Sequence, residues 1–240
     1  MIPEKDMPTV LDLLAGDLAV YLGDKNALVG MSGGIDSAVT LKLCEMAVGS
    51  RRLVAVMLPY GDQSTFDAVS VIMQTKAAKN ITWDIKEIAD AFPEPSNKLN
   101  KGNTQARVRM AMLYQFAAEN DALVVGTTNR TEAEIGYYTK WGDGAVDIEP
   151  IAGLLKTEVR MAAKVLGVPQ AIIDKPPSAN LWDGQTDEGE LGVTYEEMDQ
   201  IIEDFELTGE SPNPNADNVK KLIEGSDHKK KMPPSLEVRW

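Results

Sequence analysis

The sequence is poor in thiols, imidazoles and long apolar runs. A single cysteine, Cys44, among 240 residues excludes an intrachain disulfide and a thiolate metal cluster. No stretch approaches the ~20 apolar residues that a membrane-spanning helix needs. The opening "MIPEKDMPTV" has no basic patch followed by an apolar core, so it does not read as a signal peptide. These absences place the chain in the cytosol. Positive charge is also scarce: the formal net charge is −13, a balance that repels phosphate backbones and argues against a nucleic-acid partner. An anionic ligand would therefore need a locally positive site or a recruited cation. The two commonest phosphate signatures, the Gly-Lys-Ser/Thr ending of a P-loop and G-x-G-x-x-G, are missing from the glycine loop described next.

What is present is a hydrophobic fraction of 43%, ordinary for a folded domain, arranged in alternating strand and helix patterns. Apolar runs at Ala27–Met31, Leu53–Leu58 and Ala122–Val125 read as buried strands, and Ile81, Trp83 and Ile85 alternate as in a strand near a sheet edge. Helical spacing marks residues 8–22, Ser37–Val48, Ser64–Lys79, Thr104–Asn120 and Thr157–Leu166, and Thr194-Tyr195-Glu196-Glu197 has capping-box spacing that opens another helix. This alternation predicts an α/β fold, a doubly wound parallel sheet with helices on both faces, formed by residues 1–240 as one domain without repeats. The helix at 104–120 has no wide polar face. Such a helix is buried all round, either deep in one core or between the sheet and a second subunit. Residues 174–192 carry prolines, glycines and acids without periodicity; a loop that long is usually functional or mobile, and residues 178–192 are expected to order when ligands bind. Cys44 reads as core.

The distinctive stretch is "ALVGMSGGIDSAVT", residues 27–40, an apolar strand running into Ser32-Gly33-Gly34-Ile35-Asp36-Ser37 and then a helix. A strand-to-helix loop presents unpaired N–H groups at the positive end of a helix dipole. Gly33 and Gly34 permit close approach of a ligand, and Ser32 and Ser37 can donate to phosphate oxygens. Asp36 makes sense in a phosphate nest if a divalent cation bridges the two. A tight turn with a Ser or Asp cap is the plainer alternative.

The string "SGGIDS" resembles the pyrophosphate loop of the ATP pyrophosphatases, which cleave ATP to AMP and pyrophosphate. Further stretches, "LPYGDQ" at 58–63, "KGNTQARVRM" at 101–110, "VVGTTNRTE" at 124–132, "YTKWGDGAVDIEPI" at 138–151, "LLKTEVR" at 154–160, "KPPSANL" at 175–181, "DEGELGVTYEEMD" at 187–199 and "DHKKKMPPS" at 227–235, fall in the order seen in NAD synthetases. The resemblance covers nearly the whole chain and leaves no room for a glutaminase domain, as in the short, ammonia-dependent form. It implies ATP- and Mg²⁺-dependent amidation of deamido-NAD by ammonia, through an adenylate, with release of AMP and pyrophosphate.

Carried over residue by residue, the resemblance implies that Gly30, Met31, Ser32, Gly33, Gly34, Ile35, Asp36 and Ser37, with Thr127, Lys156 and Ser178, hold ATP. Asp36 and Glu132 would hold Mg²⁺, and Asp36 and Lys156 would be catalytic. Arg107, Lys140, Asp147, His228 and Lys229 would bind deamido-NAD, in a homodimer whose substrate site borrows from both subunits. Plainer readings stand beside these: Glu132 as a helix-start carboxylate, Lys156 as an exposed helix-start charge, "WGDG" as a simple turn, His228 as an ordinary tail residue. Asn129-Arg130 stands where many bacterial relatives carry Asp-His, and is more similar to the archaeal variant. Two rival functions remain open, another adenylating ATP pyrophosphatase and a non-catalytic ATP-binding module of the same fold.

Overall fold

The computed structural model describes residues 1–178 and 186–235. Four short strands, β1 (Asn26–Gly30), β2 (Leu53–Met57), β3 (Lys79–Thr82) and β4 (Ala122–Val125), form one parallel sheet in the order β3-β2-β1-β4. They are apolar runs because a parallel strand is covered on both faces; β2 is buried along its whole length, whereas β3 at the edge is mostly exposed. Ile81 lies in β3, but Trp83 and Ile85 lie beyond it, so the alternation overshoots the strand.

Helices α1 (Met7–Leu22), α2 (Ile35–Val48) and α3 (Phe66–Thr75) pack with one another and with the sheet in the larger core. Helices α4 (Lys86–Asp90) and α5 (Lys98–Glu119) lie on the opposite side, where Leu28, Val54, Val56 and Val124 meet Ile85 and Val108. The chain thus moves outward from β1 to β3 with α2 and α3 on one face, then returns under α5 to the far side of β1. Strand order reverses between β1 and β4, and the crevice beyond the carboxyl ends of two such strands is where open α/β sheets bind ligands.

The remaining helices extend this crevice: α6 (Arg130–Ile135), α7 (Lys156–Val165), α8 (Gln170–Ile173), α9 (Asp187–Leu191), α10 (Tyr195–Thr208) and α11 (Ala216–Lys230). Helix α7 joins the large core, while α6, α10 and α11 enclose a third cluster around Ile135, Tyr195, Met198 and Val219. The capping box at Thr194 is present. Buried Cys44 lies in the large core, where burial pushes its thiol up to about 12 and leaves it inert.

The expectation for helix α5 needs correction. Helix α5 starts well before residue 104, capped by the Asn97 side chain, which accepts from Asn100 N at 2.8 Å. It is not buried all round in the chain alone: Ala111 and Ala118 are exposed, and Met112, Leu113, Tyr114 and Phe116 are only partly covered. Of the segment expected to order with ligands, residues 179–185 lie outside those described, while Asp187–Leu191 forms α9, capped by Thr186.

Where α6 ends, Gly136 adopts φ +68° and lies against α11, so that a Cβ there would come within 2.0 Å of the Ser226 Cβ. Both the left-handed conformation and the close approach demand glycine. Gly136→Ala is expected to lower stability by about 2–4 kcal/mol, the sum of left-handed strain and overpacking. Chemical denaturation showing a loss under ~0.5 kcal/mol would contradict this seam.

Candidate active site

The loop after β1 continues the sheet for one bond, Met31 N donating to Val56 O at 2.8 Å, and then turns. Gly33 takes φ +82°, and a Cβ there would sit 3.2 Å from Asp67 Cβ and 3.4 Å from the backbone nitrogen of Ala68. Only glycine suits that position. Gly34 N donates to Ser32 Oγ at 3.1 Å, Ser37 Oγ donates to Gly34 O at 3.0 Å, and the two serine hydroxyls lie 3.2 Å apart. Helix α2 begins at Ile35 with no side-chain cap, so its first N–H groups lack a carboxylate or hydroxyl N-cap. The tight turn is present, but the Ser or Asp helix cap of the plainer reading is not.

Asp36, in the first turn of α2, meets residues from two distant elements. Lys156 Nζ, at the start of α7, lies 2.7 Å from Asp36 Oδ2 and 3.0 Å from Glu132 Oε1 on α6. The lysine side chain is 2% exposed, against 18% for Asp36 and 15% for Glu132. The exposed-charge reading of Lys156 thus fails. Burial alone would depress its ammonium, but Asp36 and Glu132 together outweigh burial and hold it above its ordinary value. Burial pushes Glu132 up, Lys156 pulls it down and Asp36 adds to the rise, so the net direction is upward. Tyr195 seals the far side: its ring lies 4.8 Å under Lys156 Nζ, and its hydroxyl bonds Asp187 Oδ2 at 3.0 Å and Glu132 Oε1 at 3.4 Å.

The backbone of Lys156 is fixed as firmly as its ammonium. Its N–H donates to Thr131 Oγ1 at 2.9 Å, Thr131 in turn bonds Asp199 Oδ1, and Thr157 N donates to Asp199 Oδ2 at 2.8 Å. Thr131 and Asp199 are buried. A side-chain network therefore joins α6, α7 and α10 where the lysine emerges. Glu132 is also a helix-start carboxylate, since it completes a capping box with Asn129.

Two carboxylates around one ammonium leave one negative charge over. Hard oxygen donors converging on one point with surplus negative charge fit a divalent cation. Among the described residues no group of three or more His, Cys, Asp or Glu forms a metal cage, so a cation here would complete its shell with phosphate and water oxygens.

The residues expected to bind the second substrate gather along the neighbouring rim. Arg107 Nη2 donates to Lys140 O at 3.3 Å, Lys140 Nζ to His228 O at 2.5 Å, and Lys229 Nζ to Gly136 O and Tyr138 O at 2.7 and 2.8 Å. His228 and Lys229 lie in the last turn of α11, an element with few apolar signals. Asp147 instead faces the sheet: it accepts from Val124 N at 2.7 Å and Tyr114 Oη at 3.3 Å, and so fastens the loop to β4. Thr127, just past β4, is half-buried, and Ser178 ends the described part of the "KPPSANL" stretch; Ala179, Asn180 and Leu181 lie outside it.

Sequence reasoning missed four residues here: Tyr195, Asp187, Asp199 and Glu149. Glu149 lies across Gly126, where a Cβ would come within 2.3 Å of its carboxyl, and accepts from Thr128 N at 3.0 Å. Neither contact leaves a local signature. For Asn129 a signal existed, the Asn-x-x-Glu spacing of a capping box.

The sequence model of the NAD synthase family matches residues 11–233. The chain belongs to the NAD synthase family. An NH₃-dependent NAD⁺ synthetase of Thermoplasma volcanium is 42% identical over 91% of this chain and 93% of its own length. One of Archaeoglobus fulgidus is 38% identical over 98% of each. Among solved structures, an NMN synthetase from Francisella tularensis is similar with a TM-score of 0.86 and 34% identity, covering 99% of this chain and all of its own.

Burial pushes the Glu149 carboxyl up to about 7. A folded-state value above the unfolded one means that the folded protein binds the extra proton. Stability from this group is full below the unfolded carboxylate range and falls as pH rises toward about 7. Glu149→Gln is expected to raise the melting temperature at pH 8 and leave it unchanged at pH 4.5. Equal shifts at both pH values in calorimetry would contradict this.

Proposed function

We propose that this protein is an ammonia-dependent NAD synthetase, amidating deamido-NAD at the expense of ATP. The observation that carries the reading is Lys156 Nζ held between Asp36 and Glu132 at the mouth of the Gly33–Ser37 loop. A glycine loop leading into a helix start without a side-chain cap suits a triphosphate, and the buried lysine suits the charge that develops on departing pyrophosphate. The substrate carboxylate attacks the α-phosphorus, pyrophosphate leaves, ammonia attacks the adenylated carbonyl, and AMP departs with loss of a proton. The protein contributes mainly positioning and charge.

In this reading Gly30–Ser37, Thr127, Lys156 and Ser178 hold ATP. Arg107, Lys140, His228 and Lys229 hold deamido-NAD, with Asp147 shaping the loop beside them. Asp36 and Glu132 hold Mg²⁺, which when bound neutralises phosphate charge. Residues 1–240 work as one domain. The excess of acids leaves no role for nucleic acid, and a cytoplasmic location suits a free cysteine and substrates of this kind.

The name of the Francisella neighbour supports a second reading, amidation of nicotinate mononucleotide by the same chemistry. Incubation with ATP, Mg²⁺, ammonium and either acceptor separates the two. Deamido-NAD is expected to give NAD, AMP and pyrophosphate in equal amounts, with Lys156→Ala lowering kcat by roughly 10²–10³-fold. Formation of ADP and phosphate would contradict the adenylating mechanism, and turnover of the mononucleotide alone would favour the second reading.

The chain works as a homodimer through the α5 side of the sheet. This rests on the partly covered Met112, Leu113, Tyr114 and Phe116 and on their exposed neighbours Ala111 and Ala118. Equilibrium sedimentation is expected to give twice the chain mass at micromolar concentration; a monomer alone would contradict the assignment.

A further inference from the structure

Asn129 is fully buried, at 0% exposure, and none of the roles above uses it. Its side chain joins the Asp36 carboxylate to the Glu132 backbone, its own backbone N–H meets the Glu132 carboxylate, and its two side-chain ends cannot be exchanged. Oδ1 accepts from Glu132 N at 3.0 Å, which requires an acceptor there. Nδ2 donates to Asp36 Oδ1 at 2.9 Å, which requires a donor. Its backbone N–H also reaches Glu132 Oε2 at 3.4 Å.

Together these contacts assign every oxygen. Asp36 Oδ1 and Glu132 Oε2 are taken by Asn129, leaving Asp36 Oδ2 and Glu132 Oε1 to face the point where Lys156 Nζ sits. In this chain asparagine supplies both the acceptor and the donor that these contacts use. Aspartate would keep the helix cap and set a charge against Asp36. Serine would keep the cap and leave Asp36 Oδ1 without its donor.

We propose that Asn129 is a positioning residue that orients Asp36 and Glu132 so that one oxygen of each faces a shared cation position. This rests on the metal role proposed for those two carboxylates. Groups that orient metal ligands typically matter 10–100-fold in metal affinity or activity. The role differs from that of a plain N-cap, whose loss would cost stability and leave metal affinity alone.

The test uses N129S and N129D with Mn²⁺ as probe, followed by electron paramagnetic resonance on protein saturated with the α,β-methylene analogue of ATP. Both variants are expected to bind Mn²⁺ at least roughly 10-fold more weakly than wild type. The Mg²⁺ concentration for half-maximal NAD formation is expected to rise in parallel, with an unchanged KM for deamido-NAD. N129S retains a capping hydroxyl, so its melting temperature is expected to stay near that of wild type. Wild-type Mn²⁺ affinity in N129S overturns the inference, whatever happens to activity. Failure of the wild-type enzyme to make NAD would instead overturn the functional reading and leave the Mn²⁺ comparison standing.

Discussion

One buried ammonium holds this site together. Lys156 Nζ bridges Asp36 and Glu132, which come from α2 and α6, while the lysine itself starts α7. Three elements remote in sequence meet at one charge. Removing either kind of partner from a buried pair leaves an uncompensated ion and typically costs about 3–5 kcal/mol. The surrounding structure is arranged accordingly: Thr131 and Asp199 fix the lysine backbone, Tyr195 covers its ammonium, and Asn129 occupies the outward carboxylate oxygens.

The sheet explains why these residues can meet at all. Strand order reverses between β1 and β4, so the loops after these two strands meet in the crevice beyond their carboxyl ends. The first supplies Gly33, Gly34 and Asp36; the second supplies Thr127, Asn129 and Glu132. The third cluster, built from α6, α10 and α11, then closes one wall and carries His228 and Lys229 toward the rim.

Much of this was legible in the sequence. Buried parallel strands are unbroken apolar runs, so β1, β2 and β4 could be placed to within a residue or two. The glycine loop could be read because the chemistry of phosphate binding is local. Reading failed where structure depends on partners far along the chain. The first turn of α5 is polar and exposed, held by an Asn97 cap rather than by packing. Helix α11 has only a short, partly buried apolar stripe, Ala216, Val219, Leu222 and Ile223, ahead of a charged last turn. Glu149 answers to the missing Cβ of Gly126, and Asp199 to the start of a helix 40 residues away. The plain reading of Glu132 as a helix-start carboxylate holds, with one oxygen serving the cap and the other the lysine.

The central claim is that the Asp36–Lys156–Glu132 centre and the Gly33–Ser37 loop form one site for a metal-bound triphosphate. A crystal structure with ATP and Mg²⁺ tests it most directly. The account predicts phosphate oxygens on the loop N–H groups, Mg²⁺ touching Asp36 Oδ2 and Glu132 Oε1, and the Lys156 ammonium moved onto phosphate. A nucleotide bound elsewhere, with Lys156 still between the two carboxylates, would contradict it.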